Sequence, residues 1–464
     1  MSDTNRRDLL GAGATLIAGL TGQSVLGPTT SAAAPQHPAP RGPARPHAGK
    51  WQHEYTFGHT ELFMEEYHRG TMEILGSQSG ELEQIGELTS RAARVIQQGR
   101  TVWTSMNSGH MPYYEQQETR RGNPAILKEH ERKFERLQKG DMVFTNFCNK
   151  DVLAARERGV YVVCVTVNYH DNEFRPRGFT ADDGFHSNRD GLMLRDVSNE
   201  ILHSHVPYTQ GLVHAPEIPE FAICPSSGTG SGSIHWMLTA EIANKLSNGQ
   251  ARAVDKSAEY LRILTERMEQ VKQHMPQIRE AAVAVARRIR AGGRWFSRSI
   301  EFEGFESELN VASGVRVVNW SDETHSWKAT REKNVMLINA ISPAYPDEMK
   351  LALEKQVEGA LVIGIGPGSL DGVVPAGRLI DVADAGFDNF SPESGGVIRI
   401  EGRDKSICPT SGIVGNVIQQ MLVAQWADEM VRRGSVPYFL MGNYQNGGVE
   451  YNATMRMFFE RQGF

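Results

Sequence analysis

The chain has 464 residues, of which 40% are hydrophobic and 22% charged, with a formal charge of −6. That balance suits a globular protein of two or three domains with a large core. It gives no electrostatic footprint for nucleic acid or for an anionic membrane surface.

The first residues form a three-part leader. Thr4-Asn5-Arg6-Arg7-Asp8-Leu9-Leu10 opens it, an apolar run follows to about Leu26, and Ser31-Ala32-Ala33-Ala34 closes it. The adjacent arginines ahead of leucines resemble a twin-arginine export signal. Residues 1–34 are therefore expected to be a signal peptide and the protein to be periplasmic or extracellular. Residues 35–50, rich in Pro, His, Ala and Arg, read as an extended linker. No later apolar run reaches the length of a membrane span, so no span is expected in the mature chain.

From Thr60 to about Gln98 the apolar residues fall at helical spacing, with a break expected at Gly76 to Gly80. Gly99 is the expected helix stop, and Arg100-Thr-Val-Trp-Thr-Ser begins a strand. Asp141-Met-Val-Phe-Thr-Asn146 is a second apolar strand. Ala154 to Thr166 gives a helix and then a third. The pattern recurs about 193 residues later, where Tyr260 matches Tyr67, Gly292 matches Gly99 and Asn339 matches Asn146. The offset is about 200 at the next strand and about 184 at a pair of cysteine loops.

Those loops are the clearest sign of duplication. Cys224-Pro-Ser-Ser-Gly-Thr-Gly-Ser-Gly-Ser-Ile-His-Trp-Met-Leu and Cys408-Pro-Thr-Ser-Gly-Ile-Val-Gly-Asn-Val-Ile-Gln-Gln-Met-Leu each run from a hydroxyl-rich loop into an apolar helix. Ser226, Ser227, Thr229, Thr410 and Ser411 lie at the helix starts. Such residues cap helices or hold a ligand against free N–H groups. Alternating apolar strands and helices imply parallel sheets covered on both faces, with ligands at the carboxyl ends of the strands. The fold class expected is α/β: two tandem α/β/α sandwiches with helical preambles, residues 51–250 and 251–464.

Four cysteines without CxxC spacing make a cysteine-built zinc site or a disulfide scaffold unlikely to be the organising feature, and buried thiols are expected. His203, His205 and His214 have no visible carboxylate partner or helical spacing, so no metal is assigned. Gly364-Ile-Gly366-Pro-Gly368 reads as a turn at a strand end, since Pro367 and the lack of a following helix disfavour a dinucleotide loop. No cofactor is assigned.

The residues resemble the sugar isomerase (SIS) domain family over most of 60–464. Ser108-Gly109-His110-Met111, then Glu115, Arg121 and Gly122, are similar to the family's loop after its first strand. Lys139-Gly140-Asp141, Arg156-Glu157-Arg158-Gly159 and the closing Arg433-Gly434…Pro437…Asn443…Gly447-Gly448 are also similar. The resemblance implies two sandwiches packed as an internal pseudo-dimer, with sites near their seam and a small sugar derivative as ligand. It also allows a homo-oligomer. The family's serine-rich phosphate loop is replaced by Asn146-Phe-Cys-Asn149-Lys150 and by Asn339-Ala-Ile-Ser342-Pro343, so a neutral or acidic sugar fits as well as a phosphosugar. His110 and Glu115 are the candidate acid/base pair for isomerisation. Ser108, Gly109, Asn146, Asn149, Ser226, Ser227, Thr229, Asn339, Ser342, Thr410, Ser411 and Asn443 are the candidate ligand residues. The alternatives are a carbohydrate-binding or sensing protein without catalysis, and a scaffold that has lost its ligand.

Overall fold

The computed structural model describes residues 61–105, 126–129, 134–167, 192–207, 209–248, 255–298, 309, 312–316, 318–319, 331–442 and 448–464. All of them belong to one contact unit, Ala48–Phe464.

Each half opens with two helices joined by a 3-10 turn. Helix α1 (Phe63–Gln78) leads through Ser79–Glu81 into α2 (Leu82–Gln97). The expected break falls in that turn. On α2 the buried residues Ile85, Leu88, Thr89, Ala92 and Ala93 form one stripe, the face that packs inward. Gly99 stops the helix at φ +74°, a left-handed conformation that glycine adopts without steric cost.

Five parallel strands follow in the first half: β1 (Val102–Ser105), β2 (Lys128–Glu129), β3 (Met142–Thr145), β4 (Tyr161–Val165) and β5 (Glu200–Leu202), in the order β2-β1-β3-β4-β5. Helices α3 (Lys150–Glu157) and α4 (Leu194–Val197) cover the outer face around Val143, Val162 and Cys164. A short antiparallel pair, β6 (Gly211–Val213) and β7 (Ile223–Pro225), belongs to the longer excursion expected in this half. It leads into α5 (Ser227–Ser247).

The second half repeats this plan. Helices α6 (Asp255–Val271) and α7 (Met275–Arg290) flank a 3-10 turn at Lys272–His274. Its strands are β8 (Trp295–Arg298), β9 (Val318–Asn319), β10 (Val335–Asn339), β11 (Leu361–Gly366) and β12 (Ala385–Asp388). Their order, β9-β8-β10-β11-β12, is the first sheet's order strand for strand, and every pairing is parallel. Helices α8 (Pro346–Val357) and α9 (Leu379–Val382) cover its outer face. The last elements are α10 (Ser411–Arg432) and α11 (Gly448–Gln462). The expected α/β class and parallel sheets are thus what the chain forms. Gly364 to Gly366 end β11, and the chain bends at Gly368 just after it, in keeping with the expected turn at a strand end.

The inner helices interlock. Helix α5 is buried without interruption from Ser227 to Lys245, and α10 from Ser411 to Val431. A helix buried on every side needs partners from more than one direction. Helix α10 packs against α7 of its own half and α1 of the other, and α5 packs against α2 of its own half and α6 of the other. One hydrophobic core therefore runs through both halves, from Phe63 to Phe439.

The cysteine loops are held alike. The Tyr67 hydroxyl donates to the Pro225 carbonyl at 2.9 Å, and the Tyr260 hydroxyl donates to the Pro409 carbonyl at 3.0 Å. Cys224 and Cys408 sit at φ +64° and +63°, left-handed positions that a non-glycine residue occupies only when its surroundings impose them. All four cysteines are buried free thiols.

Removing either tyrosine hydroxyl leaves a buried carbonyl unsatisfied, which costs about 1–3 kcal/mol. Tyr67→Phe and Tyr260→Phe should therefore each lower stability by about that amount, and by similar amounts, in urea unfolding monitored by circular dichroism.

Candidate functional site

Carboxyl ends of the first sheet's strands point toward the start of α5. Val102, Phe144, Val163 and Val165 line the face toward the inner helices, whereas Val143, Val162 and Cys164 line the other. Side chains alternate along a strand, so Thr104 and Asn146 continue the inner face. There they meet the layer that contains α5, whose first turns are hydroxyl-rich because Ser226-Ser-Gly-Thr-Gly-Ser-Gly-Ser233 is the loop-to-helix repeat.

Several polar groups on the sheet and on α5 are buried without a hydrogen-bond partner. They are Thr104 Oγ1 on the sheet, Thr229 Oγ1 and Ser231 Oγ on α5, and both ring nitrogens of His235, one turn further along. His235 is 1% exposed, and burial alone pushes its pKa down to about 3. It is a neutral imidazole, one nitrogen a donor and the other an acceptor. Buried polar groups are nearly always paired, so a cluster of exceptions calls for a physical reason.

Comparison of the halves locates His235 further. The cysteine-loop repeat puts Gln419 of α10 at its position. Gln419 Oε1 accepts a hydrogen bond from Asn339 Nδ2 at 2.8 Å, across the end of β10. Asn339 in turn matches Asn146. At this register the second half pairs two amides, while the first half has His235, whose ring nitrogens have no hydrogen-bond partner; Ser297 Oγ, the counterpart of Thr104 Oγ1, is buried without a partner as Thr104 is. His235 is the residue that the sequence reading passed over.

Other candidates have definite places. Asn149 caps α3, its Oδ1 accepting from the N–H groups of Asp151 and Val152 at 3.0 Å each. Ser226 Oγ donates to the Gln210 carbonyl at 2.8 Å, and Ser227 Oγ donates to Gln210 Oε1 at 2.8 Å. Gln210 is buried at φ +71° and seals the start of α5. In the second half Thr410 Oγ1 accepts from Arg267 Nη1 and lies 2.9 Å from Ser391 Oγ. Ser411 is buried in the first turn of α10, and Ser342 is half-buried between β10 and α8. Thr229 and His235 thus lie on α5 and Thr104 and Asn146 on the inner face of the sheet, whereas Asn149 and Ser226 serve the backbone, Ser227 pairs with the Gln210 side chain and Thr410 belongs to the other half. Ser108, Gly109, His110, Glu115 and Asn443 lie outside the described residues.

Two of the three histidines named above, His205 and His214, do have carboxylate partners, which sequence spacing did not reveal. His205 Nε2 is 2.9 Å from Glu81 Oε1, and His214 Nδ1 is 2.9 Å from Glu66 Oε1. Glu81 lies in the turn between α1 and α2 and Glu66 on α1, so each histidine is drawn to a different place. Among the described residues no three His, Cys, Asp or Glu side chains converge as a metal site. No helix among them is long and apolar enough to cross a membrane.

A depressed histidine pKa carries a stability term of defined sign. Below the ordinary value of 6.5 the unfolded chain binds a proton that folded His235 does not accept until about pH 3. Stability is therefore lost as pH falls through that window, by ~2 kcal/mol between pH 7 and 5 for this group alone. His235→Gln, which installs the second half's residue, should reduce the fall in melting temperature between pH 7 and 5 relative to the parent.

No family model matches the chain. Curated relatives include a UPF0309 protein of Brucella anthropi, 27% identical over 120 residues, which are 25% of this chain and 50% of that protein. The chain spans about half the length of the curated relatives it matches. Among solved structures it is similar to a provisionally described phosphosugar isomerase from Clostridium difficile 630 (TM-score 0.48, 11% identity, 81% of this chain and 96% of that one). It is also similar to the C-terminal domain of glucosamine-fructose-6-phosphate aminotransferase from Francisella tularensis (TM-score 0.44, 11% identity, 82% and 98%).

Proposed function

We propose that the chain is a sugar-isomerase-type protein that binds a small sugar derivative at the carboxyl end of its first sheet. One observation carries this reading: Thr104 on β1 and Thr229, Ser231 and His235 on α5 present buried polar atoms without partners among the described residues, and Gln78 and Ser204 tie the first turn of α5 to the carboxyl end of β4, the kind of place where ligands of parallel α/β folds bind. A polyhydroxylated molecule offers donors and acceptors to match. The Ser108-Gly109-His110 loop follows β1 directly in the chain.

Aldose–ketose isomerisation removes a proton from C2 and returns one to C1, while a proton passes from the C2 hydroxyl to the carbonyl oxygen on C1. Such a reaction takes a positioned base and an acid. On this reading His110 and Glu115 exchange the carbon-bound proton, and neutral His235 is the hydrogen-bonding partner of a sugar oxygen. On this reading Arg6-Arg7 and the leader behind them are an export signal, and the protein acts outside the cytoplasmic membrane.

A second reading, binding without turnover, draws on the structural use of Asn149, Ser226 and Ser227, which leaves fewer side chains to grip a phosphate.

A thermal-shift screen of the full chain against neutral sugars, acidic sugars and sugar phosphates tests the proposal, because a ligand of the native state raises the melting temperature by mass action. At least one class should give a rise. His110→Ala should keep that rise and lose interconversion of the compound, whereas His235→Gln should reduce the rise itself. A ligand that binds both proteins but is never interconverted supports the second reading. No rise with any class would sink both.

A further inference from the structure

A cavity of about 400 Å³ lies in the second half, at the ends of β11 and β12 and away from the His235 region. Glu266, Arg267 and Gln270 of α6 form one wall, and Ser369, Asp388 and Phe390 form the other. Phe390 brings an aromatic ring to the lining, and the His274 ring stacks on it with centroids 5.0 Å apart and 19° between planes. His274 is fixed there by a 2.8 Å contact between its Nε2 and the Asp388 carbonyl.

The charges around this cavity pair off unevenly. Arg267 meets Glu393, Arg262 meets Glu266 at 2.6 Å, and Arg378 meets Asp381 at 2.6 Å. Asp388 has no cation within ion-pair distance among the described residues. Its Oδ1 accepts from the N–H groups of Gly368 at 3.1 Å and Phe390 at 2.8 Å, which fixes the carboxylate in place. Its Oδ2 lies over Gly368, close enough that a Cβ there would fall 2.4 Å away. Arg378 lies near Gly368 too, but its Nε and Nη2 hold Asp381 and its Nη1 donates to the Gly368 carbonyl at 3.0 Å.

We infer that this cavity is a second ligand site and that it takes a small organic cation, a primary ammonium carried on a hydroxylated ring. Asp388 Oδ2 accepts from the ammonium, and Gln270 and Ser369 serve the hydroxyls. The Phe390 ring meets the apolar face of the ligand. An anion is the poorer occupant, because it would have to displace Glu393 from Arg267 beside two further carboxylates. An inorganic divalent cation is also poorer, because Glu266 is held by Arg262 and no three His, Cys, Asp or Glu side chains converge as a metal site among the described residues. The inference goes beyond the function proposed above and stands independently of it.

Glucosamine and glucose, equal in size and different in charge, are the probes. Millimolar glucosamine should raise the melting temperature of the full chain at low salt and glucose should not. The rise should shrink as salt is added. Asp388→Asn keeps an oxygen for Gly368 and Phe390 and removes the charge, so it should weaken glucosamine at least tenfold. Ser369→Lys places an ammonium of the chain's own in the cavity and should block binding without touching those hydrogen bonds. His235→Gln should leave the glucosamine response intact. Equal responses to the two sugars overturn the inference, as does no response to glucosamine. It also fails if the response survives both Asp388→Asn and Ser369→Lys but is lost in His235→Gln, since the amine would then bind at the first sheet.

Discussion

The burial of α5 and α10 on every side is the constraint on which the rest of the architecture depends. A helix with no solvent face cannot be satisfied by one sheet and one neighbour. Each of these helices meets a sheet-side partner from its own half and the leading helix of the opposite half's preamble. The two sheets are thereby held to a common helical layer, and Tyr67 and Tyr260, carried on the leading helices, reach the cysteine loops that start α5 and α10. Polar residues on such helices have no water to fall back on. Asn339 and Gln419 solve this by bonding each other. At the matching place in the first half His235 is left to something else.

Much of this was legible in the residues. Helical spacing before Gly99 and Gly292, apolar runs ending at Asn146 and Asn339, and the repeated cysteine loops gave the element order and the parallel class. Periodicity could not give the crossing of the leading helices. A helix apolar on all sides has no stripe to announce which neighbour it faces, and α5 and α10 are of that kind. The long excursion of the first half was visible as a change in repeat offset, but its histidines find Glu81 and Glu66 across more than a hundred residues, a separation beyond any local pattern.

His235 is the instructive miss in the site. It stood inside the repeated stretch and looked like one more residue of an apolar helix. The usable signal was the alignment of the two copies: a hydrogen-bonding side chain at one register in both, His235 and Gln419, on helices buried on every side. Asn149 shows the opposite case. Its position after a strand suggested a ligand loop, yet an asparagine just ahead of a helix is also the commonest cap, and that is its observed use. Local sequence cannot separate these roles because the same carbonyl oxygen serves either one.

The contact between α1 and α10 also governs when the chain can finish folding. Its two partners, Phe63–Gln78 and Ser411–Arg432, lie near opposite ends of the polypeptide. The first half cannot close its inner layer during synthesis, because the helix that covers α1 is among the last segments to be made. Long-range contacts of this kind slow folding and bind the halves into one cooperative event. The two halves are therefore expected to fold as one cooperative unit and not one after the other.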